Sequence, residues 1–94
     1  MILGFADRDT ARFAAGERIR RFDAFAEQAV IRLERLDAAT SLDQLRAFRG
    51  NRLELLRGDR AGQHSIRINR QWRICFVWNG DVGGAEQVEI VDYH

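Results

Sequence analysis

The sequence predicts an α+β fold in which N-terminal helices pack on one face of a mostly antiparallel, twisted sheet. Two observations carry this prediction. Between residues 22 and 36 the apolar residues recur every three or four positions, which is typical of a helix with one buried face. After Gly50 they recur at every second position in short runs separated by turns, which is typical of half-buried strands joined as hairpins. Helices followed by hairpin-linked strands favour an α+β arrangement.

Length and composition limit the class of protein. A chain of 94 residues can bury one small core, so we expect a single domain over residues 1–94. Apolar residues make up 46% and charged residues 31%, as in soluble folded chains. The sequence has no apolar run long enough for a membrane span and no signal-peptide pattern, and its single Cys cannot form an internal disulfide. We therefore expect a cytoplasmic protein with no membrane association.

The first half of the chain contains the helix signals. Residues 1–5 fit either an edge strand or the lead-in to a helix, and a short helix is expected from about Asp9 until Gly16 ends it. Asp23 is the predicted N-cap of the long helix over residues 22–38. Ser41 with Gln44 fits a capping box that opens a third, short helix.

The second half contains the strand signals. Alternation predicts strands at about 52–57, 63–69, 72–79 and 86–93, with turns at 58–62 and 79–84. Residues 69–71 fit a short hairpin loop. His64 shares its parity with Ile66 and Ile68, so we place it with the core. Cys75 lies inside a strand pattern and is interpreted as a packing residue rather than a nucleophile.

Positive charge is concentrated around this predicted hairpin. Residues 49–79 contain seven Arg and two acids, whereas residues 1–48 are balanced and residues 80–94 are acidic. A loop centred on Arg70 places Arg67 opposite Arg73, although like charges facing each other destabilise a sheet. One interpretation is a surface that receives phosphate oxygens, which guanidinium groups bind well. The other is two solvated side chains whose stems cover apolar surface. The helical half, with its mixed charge, is better suited to a protein partner.

Other titratable residues lie on the strands around the pair. Glu54 and Arg57 belong to the first predicted strand and can reach the same open face if the strand bends near Gly58. The last strand ends in Asp92, Tyr93 and His94, and a terminal His is often only a frayed end. The two His residues have no partner at a metal-ligand spacing, so we expect neither a metal nor another cofactor.

Residues 51–76, which read NRLELLRGDRAGQHSIRINRQWRICF, and residues 88–94, which read VEIVDYH, resemble the HigB toxins of the RelE/ParE superfamily. These toxins are also described as plasmid maintenance killer proteins. The resemblance extends over essentially the whole chain. It implies a toxin of a type II toxin–antitoxin system that acts as a ribosome-dependent mRNA endonuclease, or mRNA interferase. It also implies as partners the ribosome, mRNA and a HigA-like helix-turn-helix antitoxin that binds operator DNA.

The resemblance also implies roles for individual residues. Glu54 matches a position that holds the catalytic base in related toxins, and Arg57 matches a basic residue at the end of that strand. Arg67 and Arg73 match phosphate-contacting arginines. The matching C-terminal catalytic residues are Asp92, Tyr93 and His94. His94 is then the candidate acid, Tyr93 can stack on or orient a base, and Asp92 can orient His94 or Arg73. The sequence departs from related sequences at Arg70 and at residues 83–85.

Two other functions stay open at this stage. A ParE-like member of the superfamily binds and inhibits DNA gyrase without catalysis, but a pure binder has no chemical need for the set Glu54, Arg73, Tyr93 and His94 together. An RNA-binding sheet without cleavage would need aromatic residues on its open face. Trp72, Phe76 and Trp78 instead share the core parity.

Overall fold

A computed structural model describes residues 1–92, and Tyr93 and His94 lie outside the described residues. Within residues 1–92 the chain forms three α-helices followed by four antiparallel strands in the order β1-β2-β3-β4. The helices are α1 Arg8–Ala14, α2 Ala26–Ala38 and α3 Leu42–Ala47, and the strands are β1 Glu54–Leu55, β2 His64–Arg67, β3 Trp72–Asn79 and β4 Gly84–Asp92. Short 3-10 helices lie at Arg20–Phe25, Arg49–Asn51 and Gly58–Arg60.

The core lies between the helices and one face of the sheet, as predicted. Ile66, Ile74 and Ile90 form a row across β2, β3 and β4 and are at most 2% exposed. Phe22 and Leu36 from the helical half are fully buried in the same cluster. The α+β arrangement with helices on one face of an antiparallel sheet is therefore confirmed. Among the described residues, no helix is both long and apolar enough to cross a bilayer.

Of the two helix caps predicted from the sequence, the one at Ser41 is confirmed, and the structure adds a cap at Asp7. The Asp7 side chain accepts from the Thr10 N–H at 3.1 Å at the start of α1, and Ser41 Oγ accepts from the Gln44 N–H at 3.3 Å at the start of α3. The prediction that Asp23 caps the long helix is wrong. Asp23 lies inside the 3-10 helix Arg20–Phe25, and its carboxylate accepts from Arg18 Nη2 at 2.7 Å. This hydrogen bond lowers the pKa of Asp23, and α2 begins without a side-chain cap.

Residues 1–5 lie along the outer edge of β4, as the edge-strand alternative expected, but they form no regular strand. Ile2 and Phe5 make isolated parallel bridges to Ala85 and Val88 of β4. Close packing follows, because a Cβ built on Gly84 would lie 2.7 Å from Leu3 Cγ. The departure at residues 83–85 therefore has a structural reason, since this edge needs a residue without a side chain.

The strand predicted at 52–57 is wrong in extent. Regular pairing is limited to Glu54 and Leu55, because Arg52 has a left-handed backbone with φ 45°. Beyond this strand the chain turns so that Leu56 is 3% exposed while Leu55 is 61% exposed. The strand at Trp72–Asn79 is confirmed at both ends, whereas β2 is shorter than predicted and β4 begins two residues earlier.

Candidate active site

The face of the sheet opposite the helices carries the charged groups, and we call it the arginine face. One row across it consists of Glu54, Ser65, Cys75 and Glu89, which are direct strand partners. The next row pairs Arg67 with Arg73, so the predicted hairpin register centred on Arg70 is confirmed. The loop is fixed by Asn69, whose Oδ1 accepts from the N–H groups of Gln71 and Trp72 at 2.9 and 2.8 Å.

The two facing arginines direct their side chains to different partners. Arg67 Nε donates to the carbonyl of Asn69 at 2.9 Å, within the hairpin loop. Arg73 Nε donates to Ser65 Oγ at 2.7 Å, toward β1. Because each guanidinium has its own acceptor, a pair of like charges is accommodated at directly opposite positions.

Arg73 is largely enclosed by its neighbours and contacts Glu54. Its side chain is only 13% exposed, and its Nη2 donates to the Arg52 carbonyl at 2.8 Å. The same nitrogen lies 3.5 Å from Glu54 Oε2. Arg73 thus lies on the face that the sequence predicted, and its neighbours hold it on several sides.

Glu54 and Arg57 form the accessible side of the site. The Glu54 side chain is 57% exposed, so its carboxylate can meet a ligand from solvent. Arg57 is exposed and lines the same shallow depression as Glu54, together with Leu55 and Leu56. A carboxylate, a largely enclosed guanidinium and an exposed guanidinium thus lie near the junction of β1 with the turn that follows it.

The C-terminal residues are only partly within the described chain. Asp92 is the direct partner of Trp72, whose ring packs against the core, while Arg73 is the partner of Val91 on the arginine face. The Asp92 carboxylate accepts from Gln71 Nε2 at 2.8 Å. This register puts Asp92 and Arg73 on opposite faces, so it gives no support to Asp92 as the group that orients Arg73. Tyr93 and His94 fall outside the described residues.

Three contributions to this site were missed in the sequence. Ser65 is fully buried beneath Arg73, and its parity with Arg67 is a signal that could have placed it there. Arg52 contributes a main-chain carbonyl through a left-handed backbone, for which the sequence holds no signal because the residue is not Gly. Arg32 of α2 donates from Nε to the Arg67 carbonyl at 2.9 Å, and burial lowers its pKa, with Arg35 contributing.

The other side of the face is closed by a second ion pair. Arg60 Nη1 lies 3.1 Å from Glu89 Oε1 and also donates to Gln63. Cys75, the strand partner of Glu89, is fully buried, and burial raises the pKa of its thiol. The interpretation of Cys75 as a packing residue is confirmed. Among residues 1–92, no group of three or more His, Cys, Asp or Glu is arranged to hold a metal ion.

Comparison with known proteins identifies the class of protein to which this face belongs. The family described as the RelE-like toxin of the type II toxin–antitoxin system HigB matches residues 3–94. Toxin HigB-1 of Vibrio cholerae serotype O1 is 41% identical over 80 residues, which cover 83% of this chain and 84% of that protein. The match spans both the helical half and the arginine face. The chain therefore belongs to the HigB-like family of RelE-like toxins, the toxins of type II toxin–antitoxin systems, and its partner is an antitoxin.

Proposed function

We propose that this toxin is an endoribonuclease that cleaves mRNA on the translating ribosome and so arrests translation and growth. The observation that carries the proposal is the pair formed by Glu54 and Arg73, whose Oε2 and Nη2 atoms lie 3.5 Å apart on the arginine face. An exposed carboxylate next to a fixed guanidinium provides a proton acceptor and an anion-binding group at one place. RNA cleavage through the ribose requires both.

Glu54 is proposed as the general base. It removes the proton from the ribose 2′-hydroxyl, and the 2′-oxygen then attacks the adjacent phosphorus. A bond forms between the 2′-oxygen and phosphorus while the bond from phosphorus to the 5′-oxygen breaks. The products are a 2′,3′-cyclic phosphate and a free 5′-hydroxyl, and the proton for the latter comes from the general acid. This reaction needs no oxidant or co-reactant.

Arg73, Arg67 and Arg57 are proposed to bind the phosphate. Negative charge increases on the phosphate oxygens as the 2′-oxygen attacks, and donors already fixed in place stabilise that charge without reorganising. Arg73 is the most strongly fixed of the three, since Ser65 and Arg52 each accept a hydrogen bond from it. The exposed Arg57 adds longer-range attraction for the RNA backbone.

His94 is proposed as the general acid and Tyr93 as a group that stacks on a base of the mRNA. Both roles rest on the family resemblance. Asp92 is proposed to hold the end of β4 in place, because its carboxylate accepts a hydrogen bond from Gln71 in the β2–β3 loop.

Deletion of His94 tests the acid directly. Removal of a general acid lowers the rate by about 10²–10⁴-fold, and we expect this loss in single-turnover cleavage of mRNA on programmed ribosomes. Ribosome affinity, measured separately by co-sedimentation, should change much less. A deletion variant that remains fully toxic would show that the terminal His is not the acid.

The ribosome is proposed to hold the mRNA in the orientation that cleavage requires, which lowers the barrier by positioning the reacting groups. After induction of the toxin in cells, mapping of mRNA 5′ ends should show new ends within translated frames. A matched transcript whose start codon has been removed should stay intact. Equal cutting of both transcripts, or of naked RNA by purified toxin without ribosomes, would contradict the ribosome-dependent part of the proposal. Inhibition of DNA gyrase with mRNA intact would instead support a ParE-like activity.

The partner is proposed to be a HigA-like helix-turn-helix antitoxin that binds the toxin on its helical side in the cytoplasm, the whole of residues 1–94 acting as one domain. Support comes from α2, where Val30 and Ile31 are 43% and 45% exposed. Surface grooves with apolar linings run along both sides of this helix, and Phe48, 47% exposed, lines one of them. Apolar side chains grouped around a groove are typical of a protein interface.

A further inference from the structure

The side chain of Arg73 does not project straight out from its strand. Arg73 stands opposite Arg67, yet its Nε reaches Ser65, which belongs to the neighbouring row, and its Nη2 reaches the Arg52 carbonyl just before β1. It therefore crosses β2 diagonally toward β1. The side chain at the crossing point must be small, and Ser65 is both small and fully buried.

The hydrogen bonds of Arg73 fix its guanidinium without saturating it. A guanidinium has five N–H donors in a planar fork. The Nε–H and one Nη2–H donate to Ser65 and Arg52, and Nη2 also lies near Glu54. Within residues 1–92, no hydrogen-bond partner is described for Nη1. The group is thus oriented by the protein and retains donors for an external acceptor.

The Arg52 carbonyl is itself held in an unusual position. Arg52 has φ 45° and ψ 56°, a left-handed conformation that a non-Gly residue adopts at an energetic cost. The residue before it, Asn51, is fully buried; its Oδ1 accepts from Arg35 Nη1 at 3.2 Å and its Nδ2 donates to the Leu45 carbonyl at 3.0 Å. A strained residue kept in place by buried contacts, with its carbonyl on a charged site residue, indicates a functional constraint.

We propose that Ser65 and the main-chain carbonyl of Arg52 are positioning groups, which hold the Arg73 guanidinium beside Glu54 in the orientation that receives the scissile phosphate of RNA. The inference rests on the proposed endonuclease function and adds two residues to it. Neither group touches the RNA in this proposal; each acts through Arg73. A donor displaced by about 1 Å can cost on the order of 10²-fold in rate, so orientation is the property that these groups protect.

The first test compares Ser65→Ala with Ser65→Thr. The Ala variant lacks the acceptor for Arg73 Nε and should cleave mRNA on ribosomes about 10- to 100-fold more slowly, with ribosome affinity nearly unchanged. The Thr variant keeps the hydroxyl but adds a methyl group at this fully buried position, so its rate should lie between those of Ser65→Ala and the wild type. Thr10→Ala is a matched control, because Thr10 is fully buried and its Oγ1 accepts from the Ile90 N–H at 3.0 Å on the helical side. It should lower the melting temperature while the rate is preserved.

The second test separates positioning from general stability. If Ser65 acts only through Arg73, adding Ser65→Ala to the slow Arg73→Ala variant should lower the cleavage rate no further. A full additional loss in the double variant would overturn the proposal, since Ser65 would then act independently of Arg73.

The third test addresses the backbone of Arg52. Arg52→Gly and Arg52→Val both remove the charge, but Gly adopts the left-handed conformation readily and a β-branched residue does not. We expect Arg52→Val to be slower than Arg52→Gly by about tenfold or more, because only Val should displace the carbonyl. Equal rates for the two variants would overturn the role of the Arg52 carbonyl.

A measurement without RNA distinguishes failure of this inference from failure of the proposed function. In NMR spectra of the free toxin, the Arg73 Nε–H should exchange slowly with water in the wild type and in Ser65→Thr, and rapidly in Ser65→Ala. A rapid exchange in the wild type would overturn the positioning of Arg73 whatever the enzyme does. A slow exchange in a wild-type toxin that leaves translated mRNA intact would instead overturn the proposed function, and with it the catalytic purpose of the two groups.

Discussion

The helix face and the arginine face of the sheet both contain buried side chains, but these are buried by different means. On the helix face, apolar rows such as Ile66 and Ile74 are covered by other apolar side chains. On the arginine face, Ser65 and Cys75 are equally buried, yet the contacts around them are polar and directional: Arg73 bonds to Ser65, and Arg60 pairs with Glu89 beside Cys75.

This difference indicates a division of roles. Apolar packing has no strict direction and contributes mainly to stability. Hydrogen bonds to a guanidinium depend on direction and set the orientation of the group. Substitutions on the helix face should therefore change the free energy of unfolding, and substitutions on the arginine face should change the rate of the proposed RNA cleavage.

Phe22→Ala should have the largest effect on stability. Phe22 is fully buried and its ring contacts those of Phe13, Phe25 and Trp72, with centroids 5.4, 5.7 and 5.9 Å away. Loss of such a ring leaves a cavity and should lower the free energy of unfolding by about 3–5 kcal/mol. Urea denaturation followed by circular dichroism measures this, with the exposed Leu55→Ala as control, expected within about 0.5 kcal/mol of the wild type. Comparable losses in both variants would contradict the contrast between the faces.

Arg73→Ala should have the largest effect on rate. Loss of a preorganised donor to the transition state typically costs about 10²–10³-fold, or roughly 3–4 kcal/mol of barrier. Arg70, three residues earlier, is exposed in the hairpin loop, and Arg70→Ala should cost at most about 1 kcal/mol. Single-turnover cleavage on programmed ribosomes, with ribosome binding measured separately, compares the two. A similar loss in both variants would mean that diffuse positive charge, and not the fixed position of Arg73, determines the rate.

The outer side of the helices should contribute through binding instead. Ile31→Ala should weaken antitoxin binding by about 1–2 kcal/mol if this residue lies within the interface. Val82 is a matched control, because it is a similar apolar residue, 56% exposed, in the turn between β3 and β4. Calorimetric titration with the cognate antitoxin should show weaker binding for Ile31→Ala and unchanged binding for Val82→Ala. A larger loss of affinity for Val82→Ala than for Ile31→Ala would show that the antitoxin binds on the sheet side instead. Arg32 and Arg35 are poor probes of this surface, since both bind within the toxin.

The smallest effect concerns His64, which packs at the border of the core. Its Nδ1 is buried without a partner in the described chain, its ring stacks near Phe76 with centroids 6.2 Å apart, and burial lowers its pKa, with Arg46 contributing. Below the ordinary His pKa of 6.5 the unfolded chain binds a proton that the folded chain resists, so stability falls as the pH is lowered through this range. The drop in melting temperature between about pH 7.5 and 5.5 should be smaller in His64→Gln. If the melting temperature of His64→Gln falls as much as that of the wild type, other groups cause the pH dependence.

Local patterns predicted the features that depend on neighbours in sequence. Strict alternation placed β3 at Trp72–Asn79, and the same alternation with a loop centred on Arg70 placed Arg67 opposite Arg73. The shared parity of His64 with Ile66 correctly placed this His at the core side. These predictions succeeded because the period of a strand and the length of a hairpin loop are local properties.

Features imposed by distant contacts could not be predicted. Arg52 is left-handed because of its surroundings and not because of its own residue type, and this shortens the predicted first strand. Gln87 has φ 52° beside an irregularity in the pairing of β3 with β4. Such a bulge shifts the alternation along the strand. Ala85, Val88 and Ile90 consequently all face the core, which a regular period of two would not allow.

The catalytic roles of Glu54, Arg57, Arg67 and the C-terminal residues came from resemblance and stay predictions. The structure adds the neighbours of Arg73, and it separates Asp92 from Arg73 across the sheet. The face of the sheet on which Asp92 lies depends on the register between β3 and β4, and the sequence alone does not fix that register.

The edge formed by residues 1–5 has a consequence for the synthesis of the toxin. Ile2 and Phe5 pair with Ala85 and Val88, and Thr10 accepts from Ile90, so the first segment of the chain completes its contacts only with the last strand. Pairings this distant in sequence close large loops and form slowly. During translation the N-terminal segment leaves the ribosome long before its partner exists. The nascent chain thus acquires this edge of the fold only after β4 has been made, so its N-terminal segment folds later than it is synthesised.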